Sequence, residues 1–229
     1  MFSATMPQKI RELASKILKN PIEFTTVISK PAEGVLQAAY VVHENQKIPV
    51  INSLISNKPD LDSILVFSST KRKVTEIVKS LKRAGNSVEG ISSDLEQKER
   101  EDVLMRFRSR RTRVLVATDV LSRGIDIKDI NLIINYDVPG SAEDYVHRVG
   151  RTARADKTGI AISFINEQDM EKFDRIEKLI ECEVIKIPLP PEVGEGPVYK
   201  VRTPRKGNRS QGKRNYSSNK RPNRNSNPA

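Results

Sequence analysis

Short apolar segments alternate with longer amphipathic ones from about residue 36 to residue 187, and this rhythm limits the possible fold more than any other feature. Seven apolar segments have the length and the Val, Ile and Leu content of buried strands: 36–43, 63–68, 87–92, 113–118, 132–137, 159–165 and 182–187. Strands that are apolar on both sides belong in a sheet covered on both faces, and β-α alternation indicates parallel pairing with right-handed crossovers. The sequence therefore predicts a doubly wound parallel α/β domain.

The segments between these strands have the spacing of amphipathic helices. Five helices are predicted, over 47–56, 72–85, 96–109, 142–155 and 167–181. Gly85 marks the end of the second, since glycine commonly follows the last turn of a helix. The fourth carries Arg148, Arg151 and Arg154 at a spacing of three, which predicts that they lie along one face of a single helix.

The first 27 residues stand apart from this rhythm. Residues 5–21 predict a lone helix that begins near Thr5 and ends at Pro21, with an apolar stripe of Ile10, Leu13, Ala14, Ile17 and Leu18. A linker at 28–35 contains Pro31 and Gly34. The stripe requires a surface to cover it, which is either a partner outside this chain or the body of its own domain.

The net charge of +11 is concentrated at the C-terminal end. Residues 1–195 hold 30 Lys or Arg against 29 acids, whereas residues 196–229 hold ten Lys or Arg and no acid. This last segment is rich in Asn, Ser, Pro and Gly, so burial would not offset the entropy lost on ordering it. We expect residues 191–229 to form a disordered basic tail that attracts polyphosphate by counterion release; the alternative is a merely solubilising tail.

Composition excludes several classes of protein. Only 37% of the residues are hydrophobic, and no apolar run approaches the ~20 residues of a membrane-spanning helix. The single cysteine, Cys182, rules out a disulfide within the chain and fits a reducing compartment. The N-terminus lacks the basic flank and apolar centre of a secretory signal. We therefore expect a soluble, cytoplasmic, monomeric protein with no membrane partner.

Polar side chains follow three of the predicted strands. They are Ser68, Ser69 and Thr70 after the second strand, Ser92, Ser93, Asp94, Gln97 and Arg100 after the third, and Thr118, Asp119, Arg123, Gly124 and Asp126 after the fourth. Open α/β sheets bind ligands at the carboxyl ends of their strands, and hydroxyls and arginines are common contacts of phosphodiesters. The group predicts a track for a nucleic-acid backbone, although each residue alone is equally suited to a helix cap.

The three arginines form a second candidate site. Asp144 lies four residues before Arg148, so these two side chains are candidates for a salt bridge on the helix surface. Arg151 and Arg154 have no carboxylate three or four residues away in the sequence. Guanidiniums match phosphate oxygens, and arginines can stabilise the charge that develops during phosphoryl transfer. The spacing predicts a phosphate clamp; the alternative is a solvated basic face.

Five segments resemble, in order and spacing, motifs III to VI of DEAD-box RNA helicases. They are FSAT at 2–5, ILVFSST at 64–70, SSDLEQKER at 92–100, VATDVLSRGIDI at 116–127 and YVHRVGRTAR at 145–154. The resemblance implies that residues 36–190 form a second RecA-like domain. It also implies that residues 1–27 are the end of a first RecA-like domain and that 28–35 link the two. An absent first domain would explain the apolar stripe of the N-terminal helix.

The resemblance implies a role for each matching residue. Those expected to contact the RNA backbone are Thr70, Ser93, Gln97, Arg100, Thr118, Arg123 and Gly124. Those expected to contact ATP are Gly124, Asp126, Arg151 and Arg154, with the two arginines as catalytic residues at the γ-phosphate. Those expected to couple the two domains are Ser3, Thr5, His147 and Arg148. Ser93 departs from the family, which often has glycine at that position.

The sequence contains no G-x-x-x-x-G-K-[ST] loop and no D-E-A-D segment. The resemblance therefore implies that ATP and Mg²⁺ are held mainly by the first RecA-like domain, that this chain holds no metal, and that alone it does not hydrolyse ATP. The expected function is that of the C-terminal half of an ATP-dependent RNA helicase, with RNA and the first domain as partners. The alternative is a non-enzymatic RNA-binding module.

Overall fold

The computed structural model describes residues 8–19, 34–56, 58–119, 130–152 and 159–201. Its strands are β1 (Val35–Val41), β2 (Ile64–Ser68), β3 (Val88–Ile91), β4 (Val114–Thr118), β5 (Leu132–Asn135), β6 (Gly159–Ile165) and β7 (Ile185–Ile187). Its α-helices are α1 (Gln8–Ile17), α2 (Lys47–Ile55), α3 (Lys71–Arg83), α4 (Gln97–Arg108), α5 (Ala142–Val149) and α6 (Met170–Ile180). Short 3-10 helices cover Glu44–Gln46 and Pro191–Val193. Every predicted strand is present.

The strands form one sheet in the order β3-β4-β2-β5-β6-β1-β7, and every strand pair is parallel. Helices α2 and α3 cover one face, and α4, α5 and α6 cover the other. Along the sheet, the chain moves toward β3 through helices α2 and α3 and toward β7 through α4, α5 and α6. Helices of the first group lie on one face and those of the second on the other, as right-handed crossovers require. The predicted doubly wound parallel α/β fold is confirmed.

Two apolar layers enclose the sheet because successive strand residues point to opposite faces. In β4, Leu115 and Ala117 pack in the layer under α4, α5 and α6, whereas Val114 and Val116 pack under α2 and α3. All four side chains are buried, and the strands are apolar on both faces for this reason.

Helix α5 is shorter than the helix predicted over 142–155. It begins after Ser141, whose hydroxyl accepts a hydrogen bond from the backbone N–H of Asp144 at 3.1 Å. It ends at Val149, and the N–H of Gly150 donates to the carbonyl of Val146 at 2.8 Å. Residues 150–152, which follow, are not helical, although the helical pattern of the sequence continues through them.

The chain after α5 turns back to the sheet. Thr152 forms an isolated parallel bridge with Ile130, and its hydroxyl donates to the carbonyl of that residue. Arg148 therefore lies within the helix and Arg151 beyond its end, so the prediction of three arginines along one helix face is wrong. Arg154 lies outside the described residues.

Helix α1 carries exposed apolar side chains. Leu13 is 48% exposed and Ile17 is 68% exposed, and Leu18 just beyond the helix is 38% exposed. The stripe predicted for this segment is therefore not covered at these positions by the part of the chain that the structure describes.

None of the helices in that part is both long and apolar enough to span a bilayer.

The C-terminal segment 188–201 packs on the domain, so a disordered tail beginning at residue 191 was placed too early. The Gln46 side-chain amide donates to the carbonyls of Val193 and Glu195 at 3.2 and 2.9 Å. A Cβ atom on Gly196 would lie 2.2 Å from the Val41 carbonyl oxygen, so only glycine permits this close approach. The prediction of a basic tail over residues 202–229 lies outside the described residues.

Candidate functional site

The polar residues singled out in the sequence that the structure describes lie at the carboxyl edge of the sheet. Strands β3, β4, β2 and β5 are neighbours in that order, so the segments that follow them leave the sheet side by side. Ser68 at the end of β2 lies in register with Thr118 at the end of β4. The second, third and fourth strands therefore deliver their polar side chains to one edge, as the sequence predicted.

A buried carboxylate, Asp137, holds the turn that follows β2. One of its oxygens accepts hydrogen bonds from the Ser68 hydroxyl at 3.2 Å and from both the N–H and the hydroxyl of Ser69 at 2.8 Å. The other accepts from the ammonium groups of Lys47 at 3.3 Å and Lys73 at 2.6 Å. These bonds fix the backbone immediately before Thr70.

The charges around Asp137 balance one another. Glu44 bridges the same two lysines, at 2.7 Å from Lys47 and 3.0 Å from Lys73, and Lys47 is completely buried over the Tyr136 ring. Burial raises the pKa of the Asp137 carboxyl, but the Lys73 and Ser69 hydrogen bonds and the Lys47 charge outweigh it and hold that pKa below its ordinary value. Asp137 is therefore ionised, and the turn it holds stays fixed across the neutral range.

Two of the hydroxyls at this edge accept hydrogen bonds from nearby backbone N–H groups. Thr70 is the N-cap of α3, and its hydroxyl accepts a hydrogen bond from the N–H of Lys73 at 3.3 Å. The Ser92 hydroxyl accepts from the N–H of Asp94 at 3.4 Å. Such a bond uses one lone pair of the hydroxyl and leaves its proton for another acceptor, so capping is compatible with a phosphate contact.

Gln97 and Arg100 lie in the first turn of α4, which begins shortly after β3 ends at the same edge. The Gln97 side chain donates to Glu101 at 2.7 Å and accepts from an Arg100 Nη at 3.4 Å. The Arg100 Nε is buried and has no hydrogen-bond acceptor among the residues that the structure describes. A guanidinium with an unsatisfied donor at a ligand-binding edge is suited to an anion.

Arg148 is held inside the domain by several hydrogen bonds. Its side chain is 3% exposed, and it donates two parallel hydrogen bonds of 2.6 Å to the carboxylate of Asp119. It also donates to Asn135 Oδ1 at 3.1 Å and to the Asp137 carbonyl at 2.9 Å. The expected surface pair with Asp144 is therefore replaced by an ion pair directed into the domain, which ties α5 to the ends of β4 and β5.

Arg151 follows this anchored helix directly and is partly exposed. Its N–H donates to the Arg148 carbonyl at 3.1 Å, and the next residue, Thr152, is buried and bonded to Ile130. The backbone of Arg151 is thus fixed on both sides. His147 is partly exposed on α5, two residues before its end.

For two other predicted site residues the structure gives the position and the exposure of the side chain. Ser93 is exposed in the turn before α4, and Thr118 is partly exposed at the end of β4. Six predicted residues lie outside the described residues: Ser3, Thr5, Arg123, Gly124, Asp126 and Arg154. Among the residues that the structure describes, no group of three or more His, Cys, Asp or Glu is placed to hold a metal ion.

The residues that position this site are only weakly indicated by their sequence context. Asp137 ends a predicted strand, where an acid is easily taken for a helix cap, and Lys47 begins a predicted helix, where a lysine is normally exposed. Their roles depend on contacts across 90 residues of sequence. A contact between residues so far apart cannot be predicted from a local sequence pattern.

Comparison with known proteins identifies the family of this chain. The model of the helicase conserved C-terminal domain matches residues 46–156. Over 198 residues the chain is 38% identical to the DEAD-box ATP-dependent RNA helicase 46 of Arabidopsis thaliana, covering 85% of this chain and 30% of that protein. The chain spans less than half the length of this and other curated relatives such as the ATP-dependent RNA helicase DBP2 of Saccharomyces cerevisiae, of which 32% is covered.

Solved structures give the same result. The E. coli DEAD-box protein SrmB, bound to regulator of ribonuclease activity A, matches with a TM-score of 0.69 and 31% identity over 75% of this chain and 100% of that chain. The S. cerevisiae Dbp5, bound to RNA and ADP BeF3, matches with a TM-score of 0.72 and 30% identity over 82% of this chain and 50% of that chain. The sequence and its parallel RecA-like sheet thus agree, and the chain belongs to the DEAD-box RNA helicases as a C-terminal helicase domain.

Proposed function

We propose that this chain is the C-terminal half of an ATP-dependent RNA helicase, which binds the RNA backbone at the carboxyl edge of its sheet and supplies arginines to ATP hydrolysis during duplex unwinding. The convergence of Thr70, Arg100 and Thr118 at one edge carries the proposal. Hydroxyl and guanidinium groups spaced along an edge match successive phosphates and sugars, and such contacts are independent of base sequence.

The anchored helix α5 supports the second part of the proposal. Asp119 and Arg148 tie the end of β4, which faces RNA in this proposal, to the helix that leads to Arg151. Arg151 would reach the γ-phosphate of an ATP bound to the first RecA-like domain, and Arg154 would join it. Mg²⁺ would neutralise phosphate charge in that first domain, and this chain would contribute no ligand to it.

Arg100 gives the sharpest test of RNA binding. We expect Arg100→Ala to weaken the affinity of the full chain for a short single-stranded RNA about tenfold, as expected for loss of a charged hydrogen bond of about 1.5 kcal/mol. The slope of log Kd against log salt should fall by about one unit. Fluorescence anisotropy of labelled RNA at several salt concentrations measures both quantities.

The matched control is Arg175→Ala, which removes an exposed arginine from α6 on another part of the domain. It should alter RNA affinity much less than the Arg100 change. Equal affinities for the wild-type chain and Arg100→Ala would contradict an RNA track at this edge.

A further inference from the structure

A groove of about 490 Å³ lies between helix α3 and the edge strand β3, and of the residues considered above for RNA or ATP only Ser92 lines it. Its volume falls within the range of about 300 to 1,000 Å³ that is typical of ligand pockets. Its apolar lining consists of Val74, Val78 and Leu95, and its basic lining of Lys79, Lys82 and Arg83. We propose that this groove binds an acidic segment of a partner protein whose apolar side chain enters between flanking Asp or Glu residues.

The apolar floor of the groove depends on Gly90. A Cβ atom at this position would lie 3.0 Å from both Val74 Cγ1 and Val78 Cγ2, so the glycine lets α3 approach β3 closely. Val78 and Leu95 remain only partly buried. Covering their exposed surface with an aliphatic side chain would remove apolar area from water, which stabilises a complex by ~25 cal/mol per Å².

The basic rim of the groove has no acidic complement of its own. Lys79, Lys82 and Arg83 are exposed and lie three and four residues apart, so they share one face of α3. None of the three forms an ion pair with a carboxylate within the described ranges. The Lys82 charge helps to lower the pKa of the Glu89 carboxyl, but Glu89 is hydrogen-bonded to Arg106 of α4. Three unneutralised cations beside an apolar floor are complementary to an apolar residue flanked by acids.

Two features favour a peptide over a nucleic acid. The lining contains no aromatic side chain on which the bases of a single-stranded nucleic acid could stack. Strand β3 forms the edge of the sheet, so one side of its backbone has no partner strand in the described part of the chain. A peptide can supply both donors and acceptors to such an edge as it crosses the groove, whereas phosphate groups supply acceptors only.

The test uses the full chain and a fluorescein-labelled peptide, Glu-Asp-Leu-Leu-Asp-Glu, in an anisotropy titration. We expect saturable binding that the double substitution Lys79→Glu and Lys82→Glu weakens at least about tenfold, since it reverses two charges at the rim. Replacing the two leucines of the peptide with serine should weaken binding by a similar factor. Circular dichroism confirms that each variant is folded.

The control variant is Arg175→Glu, which reverses an exposed charge on α6, on the opposite face of the sheet, and should leave peptide affinity unchanged. Equal affinity for the leucine and serine peptides, or no saturation below about 1 mM, would overturn the proposal. So would a chain that binds single-stranded RNA through Lys79 and Lys82 but does not bind the peptide, because the rim would then be a nucleic-acid surface.

Discussion

Two arginines three residues apart in this chain have different environments. Arg148 is buried and satisfies an acid, an amide and a carbonyl, whereas Arg151 begins a partly exposed turn fixed on both sides by backbone and side-chain bonds. The first holds the site together, and we propose that the second acts on a ligand. A guanidinium can serve either purpose because its planar fork binds carboxylates and phosphates equally well.

Removing the Arg148 side chain should therefore destabilise the whole domain. Arg148→Ala leaves Asp119 without its bidentate partner and Asn135 without a donor, and breaking a buried pair in this way costs about 3–5 kcal/mol. Urea unfolding followed by circular dichroism measures the change in the free energy of unfolding. Arg175→Ala serves as the surface control, and a similar small loss in both variants would show that the Arg148 network contributes little.

At the scale of elements, the strands were easier to predict than the helix ends. Each strand is a run of apolar residues bounded by polar ones. A strand that is buried on both faces needs such a run at any position in the sheet, so the run alone is enough to predict the strand. Helix α5 was predicted to continue past its observed end at Val149 because residues 150–155 of the sequence carry no helix breaker other than Gly150, which also occurs within helices. Its true end depends on the bridge between Thr152 and Ile130, which joins residues 22 positions apart.

The same distinction holds for the site. The sequence predicted the carboxyl edge and most of the polar residues on it, because strand ends can be read from hydrophobic runs. It did not predict the lysine and aspartate cluster beneath that edge, nor the pairing of Arg148 with Asp119 in place of Asp144. These contacts depend on which strands are neighbours in the sheet, and the strand order cannot be predicted from a local sequence pattern.

The end of α3 offers a test at this scale. Gly85 has a φ of +84°, and the N–H of Asn86 donates to the Leu81 carbonyl at 3.1 Å, as in a Schellman cap. Gly85→Ala should lower the free energy of unfolding by ~1 kcal/mol, the cost of a left-handed residue with a side chain. Gly140→Ala is the control, because its Cβ would make only an ordinary contact of 3.7 Å with Asp144. Equal stability of both variants would contradict a role for Gly85 as the cap.

At the scale of the whole molecule, charge is divided between the domain and the C-terminal end. Residues 202–229 contain nine Lys or Arg, and the segment before them is fastened to the domain by Gln46 and by Tyr199, whose hydroxyl lies 3.3 Å from Glu177. The basic residues therefore begin at a defined place on the surface. In the proposed function, this arrangement would join a general attraction for polyanions to a structured edge that contacts the RNA backbone.

Deleting residues 202–229 should weaken RNA binding and flatten its dependence on salt. Each phosphate neutralised on a single strand adds about 0.7 to the slope of log affinity against log salt, so the slope reports how many of the nine cations take part. A full-length chain with these nine residues changed to Gln separates charge from length and should match the deletion. A slope identical to that of the wild-type chain would rule out electrostatic binding by this segment.

The central claim is that Arg151 acts on ATP bound by a first RecA-like domain, and ATP hydrolysis tests it most directly. The first RecA-like domain of a DEAD-box relative, fused to residues 28–229, is assayed for steady-state ATPase activity with and without RNA. We predict RNA-stimulated turnover that Arg151→Ala lowers by about 10³-fold, with the affinity for RNA changed less than about twofold. A fusion that hydrolyses ATP equally well with Arg151→Ala, or binds RNA without any turnover, would contradict the account.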